Sequence, residues 1–170
     1  MVDVKKITFM GMMLAMVFVL LLIERAMPAL PMLPPQFSKI GLANVIVMYV
    51  FFFVGKKDAF VMVGLKALFG FLLRGPVAGL LSFSGGVFSV IIMLVLFFMF
   101  RQRISYVIYS VAGAIGFNVG QLVVACIFLW DFRLFVFYFP VLIITGAVFG
   151  TVTGMFLKII IPAFNRINGG

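Results

Sequence analysis

The stretch SKIGLAN, residues 38–44, sets Lys39 and Asn44 just ahead of the apolar run VIVMYVFFFV. Polar side chains are scarce in this chain, and an ionisable or amide group inside an apolar segment is costly enough to point to function. Besides Lys39 and Asn44, the candidates are Glu24 beside Arg25 in LLIERA, Lys66 in VGLKALFG with Arg74 two turns later, Ser82 and Ser84 in LSFSGG, and Asn118 and Gln121 in GFNVGQL. Lys39, Lys66 and Arg74 set against Glu24 form a cation-rich group. Lysine and arginine together with side-chain amides suit recognition of phosphate or carboxylate. The Gly85-Gly86 pair would let a ligand or a neighbouring helix approach backbone N–H groups. The expectation is a pocket for an anionic small molecule with an apolar portion, its headgroup gripped near Lys39 and Asn44 and its body held by apolar walls. Plainer readings stand beside this one. Arg25 and Arg74 can snorkel to lipid headgroups. Lys39 can read the same headgroups, Asn44 can cap a helix, and Asn118 and Gln121 can be hydrogen-bond glue between helices.

Catalysis finds little to use. There is no histidine, so neither a Ser/His/Asp triad nor a haem-His or Cys/His zinc site can be assembled. No paired acidic motif is present to hold magnesium for diphosphate chemistry, and no GxxxxGK[ST] loop for nucleotide hydrolysis. The single cysteine, Cys126, has no internal disulfide partner. A binding protein without a cofactor or metal is expected, not an enzyme.

The elements that must position these residues are membrane helices. Of 170 residues, 66% are hydrophobic and 10% charged, with 23 Phe and 12 Met. No soluble fold of this size hides so much apolar surface, so lipid is the expected solvent. Six apolar segments are predicted, at 7–23, 40–54, 59–73, 78–100, 104–130 and 134–162, within one domain spanning 1–170. Continuous runs such as VIIMLVLFFMF do not fit the alternation of a transmembrane β-barrel. The first segment reads as a retained span, longer than a signal-peptide core. A proline-rich loop at 25–39 follows it, and the second segment is short, with a partly extended or re-entrant start expected. With six alternating spans, Lys5, Lys6, Lys56, Lys57, Arg101, Arg103, Lys158 and Arg166 fall on one side and Arg25, Lys39, Arg74 and Arg133 on the other. That bias predicts both termini in the cytoplasm and the proline-rich loop outside. It also accounts for the net charge of +9 without a nucleic-acid partner.

Small residues recur every fourth position: Gly11 and Ala15 in the first segment, Ala112, Gly116 and Gly120 in the fifth, and Gly146, Gly150 and Gly154 in the sixth. Such stripes let helix backbones approach closely, within one bundle or between proteins. On a helical wheel Asn118 and Gln121 lie about 60° apart, opposite the small residues of the fifth segment. One face is thus expected to pack and the other to present two amides.

The run LLIERAMPALPMLPPQFSKIGLANVIVMYVFFFVGKKDAFVMVGLKALFGFLL, with LSFSGGVFSVIIM, VAGAIGFNVGQLVVA and the glycine-rich last segment, resembles small bacterial membrane proteins known as the Gx transporter family or heptaprenyl diphosphate synthase component I. That family is similar to the substrate-binding S components of energy-coupling factor transporters. The resemblance implies a six-helix bundle in the bacterial plasma membrane with an outward pocket for a small molecule. It also implies a transmembrane coupling protein with separate ATPases, docked on the small residues of the first helix, here Gly11 and Ala15. Phe117 stands where the family pattern often has histidine, and Lys66 where it often has arginine. The synthase name implies a different role, as an accessory subunit of a polyprenyl diphosphate synthase or of a quinone- or flavin-linked electron-transfer complex. A third possibility is a membrane scaffold whose polar residues only join helices.

Overall fold

The computed structural model describes residues 4–26, 41–100 and 103–168, with side chains as far as residue 162. Lys39 and residues 27–39 of the proline-rich loop lie outside the described residues.

Among the described residues six α-helices alternate in direction: α1 (Val4–Ala26), α2 (Leu42–Tyr49), α3 (Lys56–Arg74), α4 (Pro76–Phe100), α5 (Tyr106–Leu129) and α6 (Arg133–Asn168). Among the described residues there is no strand. Four of the described helices, α1, α4, α5 and the stretch Arg133–Pro162 of α6, are long and apolar enough to cross a membrane, and the chain is a multi-pass membrane protein. The fold is an all-α membrane bundle, as the composition predicts. One end carries Lys6 and Asp58, joined at 2.8 Å, and the other carries Glu24 and Arg74.

The boundaries follow local chemistry. Gly75, at φ 92°, ends α3 in a backbone conformation open to glycine, and Pro76 opens α4, where its missing N–H costs nothing. Ser105 caps α5 by accepting from the Val107 N–H at 3.1 Å. The α5–α6 turn is made by Trp130 at φ 52°, a side chain 89% exposed. Helix α6 runs through Pro140 and continues past Pro162 to Asn168, beyond the predicted end of its segment.

The second segment differs from expectation. It is helical from Leu42, after Gly41 at φ 76°, and its predicted first residue, 40, lies outside the described residues. From Val50 to Val54 it widens into a π-helix, closed by Gly55 N–H donating to Val50 O at 2.9 Å. Ala43, Val45, Ile46, Val47, Met48 and Tyr49 are all buried, because α2 lies inside the bundle, against α1, α3 and α6. A helix apolar on all sides is at home in such a place. The main core gathers around it: Met13, Val17 and Leu21 of α1, Met62 and Val63 of α3, Val90 and Met93 of α4, Tyr109 of α5 and Leu157 of α6.

The other half is a row, α3 on α4, α4 on α5 and α5 on α6. Here glycines set the spacing. A Cβ on Gly150 would come within 2.6 Å of the Val111 Cα, and one on Gly154 within 2.8 Å of the Val107 Cα. A Cβ on Gly120 would come within 2.8 Å of the Phe88 Cβ. Backbone meets backbone at these points, the approach that small-residue stripes permit.

Candidate functional site

Lys66 sits midway along α3 and is 4% exposed. Its ammonium donates to Asn44 Oδ1 on α2 and lies over the Phe117 ring of α5, 4.6 Å from the centroid. A lysine buried this deep needs acceptors, and an amide oxygen and an aromatic face are both weak substitutes for a carboxylate. The nearby acid is Glu24 of α1, 6% exposed, whose charge attracts Lys66 while Arg74 repels it. Glu24 Oε1 also accepts from the Ala43 N–H at 3.4 Å. It therefore sits at the N-terminus of α2, where an anion is favoured by the unpaired N–H groups and by the helix dipole.

Arg74 closes the cluster. It is half-buried at the end of α3, feels both Glu24 and Arg25, and its Nε has no hydrogen-bond partner among the described residues. Arg25 donates from Nη1 to Leu73 O at 3.2 Å, satisfying a carbonyl that the end of α3 leaves open. Glu24, Asn44, Lys66 and Arg74, named from the sequence, are thus brought together from α1, α2 and α3 around an excess of positive charge. Burying unbalanced charge among apolar helices is expensive, and an added anion would offset it.

The other candidates divide. Gln121 is buried on α5 one turn from Phe117, and a Cβ on Gly85 would meet both its Cγ and the Phe117 carbonyl oxygen at 2.8 Å. It borders the Lys66 cluster on the α4 side. Asn118 points the other way, donating from Nδ2 to Leu142 O of α6 at 2.8 Å. The two amides do not share a face, because α5 is packed on both sides, by α4 and by α6. Ser84 donates within its own helix to Leu81 O at 3.0 Å, and Ser82 lies at the α3–α4 contact beside Gly70. Gly11 and Ala15 are exposed on α1, and a Cβ on Gly11 would meet nothing within 4 Å.

Two features escaped the sequence reading. One is the Phe117 ring under the Lys66 ammonium. The other is a polar seam leading on from Asn44, where a cavity of about 20 Å³ is bordered by Asn44, Ser89, Ser110 and Thr153, among others. Ser110 and Thr153 share a hydrogen bond of 2.8 Å between α5 and α6. Hydroxyls at 89, 110 and 153 within apolar runs were the available signal. A larger cavity of about 220 Å³ lies among α4, α5 and α6, but apolar residues such as Leu81, Leu122 and Phe128 dominate its wall and no candidate residue lines it.

Comparison with known proteins matches this arrangement to a fold and a family. A solved structure described as the S component of a bacterial ECF transporter superposes with a TM-score of 0.57 at 21% sequence identity, covering 97% of this chain and 96% of that one. The likeness is one of fold. No curated protein matches the sequence. The heptaprenyl diphosphate synthase component I family matches residues 13–160, which include α2 to α5 whole and most of α1 and α6. With so much of its length matched, the chain belongs to the heptaprenyl diphosphate synthase component I family.

Proposed function

We propose that this protein is the substrate-binding membrane subunit of a bacterial importer, taking up a small anionic or amphipathic molecule with the help of separate coupling and ATPase proteins. The observation that carries this reading is Lys66, buried at mid-bundle between Asn44 and Phe117 with Glu24 and Arg74 nearby. The anionic group of the ligand joins Lys66 and Arg74, and Glu24 competes with it for the same cations. Asn44 and Gln121 supply neutral hydrogen bonds, and Phe117 offers an apolar wall. The charge bias of the loops orients the Arg74 end outward. The bare Gly11/Ala15 face of α1 is the docking surface for the coupling protein. Ser84 and Asn118 serve helix packing in this reading.

The test is mass spectrometry of small molecules released from gently purified protein. A repeatable anion carried by the wild type and lost from Lys66→Ala supports a binding subunit and names its substrate class. The family's description favours a second reading, a non-catalytic accessory subunit of a heptaprenyl diphosphate synthase. A protein that is empty and co-purifies with a soluble prenyltransferase would replace the first reading with the second.

A further inference from the structure

At the Lys6 end, away from the Lys66 cluster, Phe52, Ile104, Ser105, Tyr106, Tyr109 and Lys158 line a cavity of about 210 Å³. Tyr109 and Phe117 lie on the same helix about 12 Å apart along its axis, so the two sites are separate. Phe52 belongs to the π-helical segment, and widened turns of this kind recur at functional sites. Its ring meets Tyr106 and Tyr109 edge-on, with centroids 5.0 and 4.9 Å away.

The polar groups of this cavity are incompletely used. Tyr109 is 1% exposed, and its hydroxyl has no hydrogen-bond partner among the described residues. A buried hydroxyl is normally satisfied, and an exception calls for a reason. Ser105 accepts from the Val107 N–H, which leaves its own O–H free to donate. Lys158 is exposed on α6, and among the described residues no carboxylate pairs with it, Asp58 being taken by Lys6. An ammonium and two hydroxyls are three donors, the number a tetrahedral oxyanion can engage on separate oxygens. The rings of Phe52 and Tyr106 supply an apolar wall beside them. Lys5, Lys6, Lys56, Lys57 and Arg103 fall at the same end and raise the local concentration of anions.

We propose that this cavity binds a phosphate ester carrying an apolar or aromatic group, with Lys158, Ser105 and Tyr109 donating to the phosphate. The ester is either the headgroup of a membrane lipid or a soluble phosphate compound. Two probes separate them. Full-length protein in a maltoside detergent, which brings no phosphate, is titrated with phenyl phosphate and followed by thermal melting. The same protein, extracted from vesicles of phosphatidylglycerol and phosphatidylcholine, is examined by native mass spectrometry for retained lipid. A saturable rise in Tm with phenyl phosphate identifies the soluble source, and retained phosphatidylglycerol without that rise identifies the lipid. In either case Lys158→Gln, a surface change that leaves the fold intact, weakens binding roughly tenfold or more by removing a charge-assisted bond. Tyr109→Phe raises the Tm of the empty protein, since no native hydrogen bond is lost, yet weakens binding severalfold. A tyrosine that only fills space would leave binding unmoved. Binding of neither probe, or equal binding by wild type and Lys158→Gln, overturns the proposal.

Discussion

Gly150 on α6 and Gly11 on α1 belong to the same kind of sequence stripe and meet opposite surroundings. A Cβ on Gly150 would press within 2.6 Å of the α5 backbone, whereas one on Gly11 would meet nothing within 4 Å. The contrast extends to the halves of the molecule to which they belong. The α4–α6 half is joined by backbones brought together at glycines, with uncharged polar side chains such as Ser110, Asn118 and Thr153 between them. The half built from α1, α2 and α3 is joined through side chains, with Glu24, Asn44, Lys66 and Arg74 at its centre. A small-residue pattern therefore specifies a capacity for close approach, and only the surroundings show whether that capacity has been used inside the bundle or kept for a partner.

The strongest way to test this contrast is Gly150→Leu. Forcing a side chain into the α5 backbone should cost about 3 kcal/mol, near the upper end for overpacking, and much of the protein should run as aggregate in size-exclusion chromatography. A well-folded Gly150→Leu protein would mean that the α5–α6 contact is loose and the contrast false. Lys66→Leu comes next. With its counterion gone, buried Glu24 should destabilise the bundle by about 2 kcal/mol in a denaturation series, and ligand retention should fall at least tenfold. The scaffold reading predicts a harmless or stabilising change instead. Asn118→Leu should cost about 0.6 kcal/mol, the usual value of a side-chain hydrogen bond between membrane helices, and leave ligand retention unchanged. Lost retention would place Asn118 with Gln121 after all. The smallest effect on stability belongs to Gly11→Leu, within about 0.5 kcal/mol as for other changes at open positions. Its readout is association, since co-purification of a membrane partner should be lost while the melting temperature stays put.

The sequence made the α3–α4 boundary readable, because Arg74-Gly75-Pro76 leaves few alternatives. It also marked Lys66, the one cation well inside an apolar run. It could not show that Lys66 meets Asn44, 22 positions away and across the chain reversal at Gly55. The wheel angle of Asn118 and Gln121 was sound, but its interpretation assumed that α5 packs on one side. Both sides are packed, so the amides go to different neighbours. The π-helix at Val50–Val54 left no trace, since VFFFV contains no polar residue to betray a wider hydrogen-bonded ring. The extension of α6 past Pro162 was hidden for the opposite reason, in that proline and a polar tail resemble an end.

Trp130 has a practical consequence. It is the single tryptophan of the chain, 89% exposed at the turn between α5 and α6, at the Arg74 end of the bundle. Its emission is therefore a built-in optical gauge, reporting the polarity around that end alone. Quenchers fixed at graded depths in a bilayer would read how deep the turn sits, and quenchers sealed on one side of a vesicle would read which way the native protein faces.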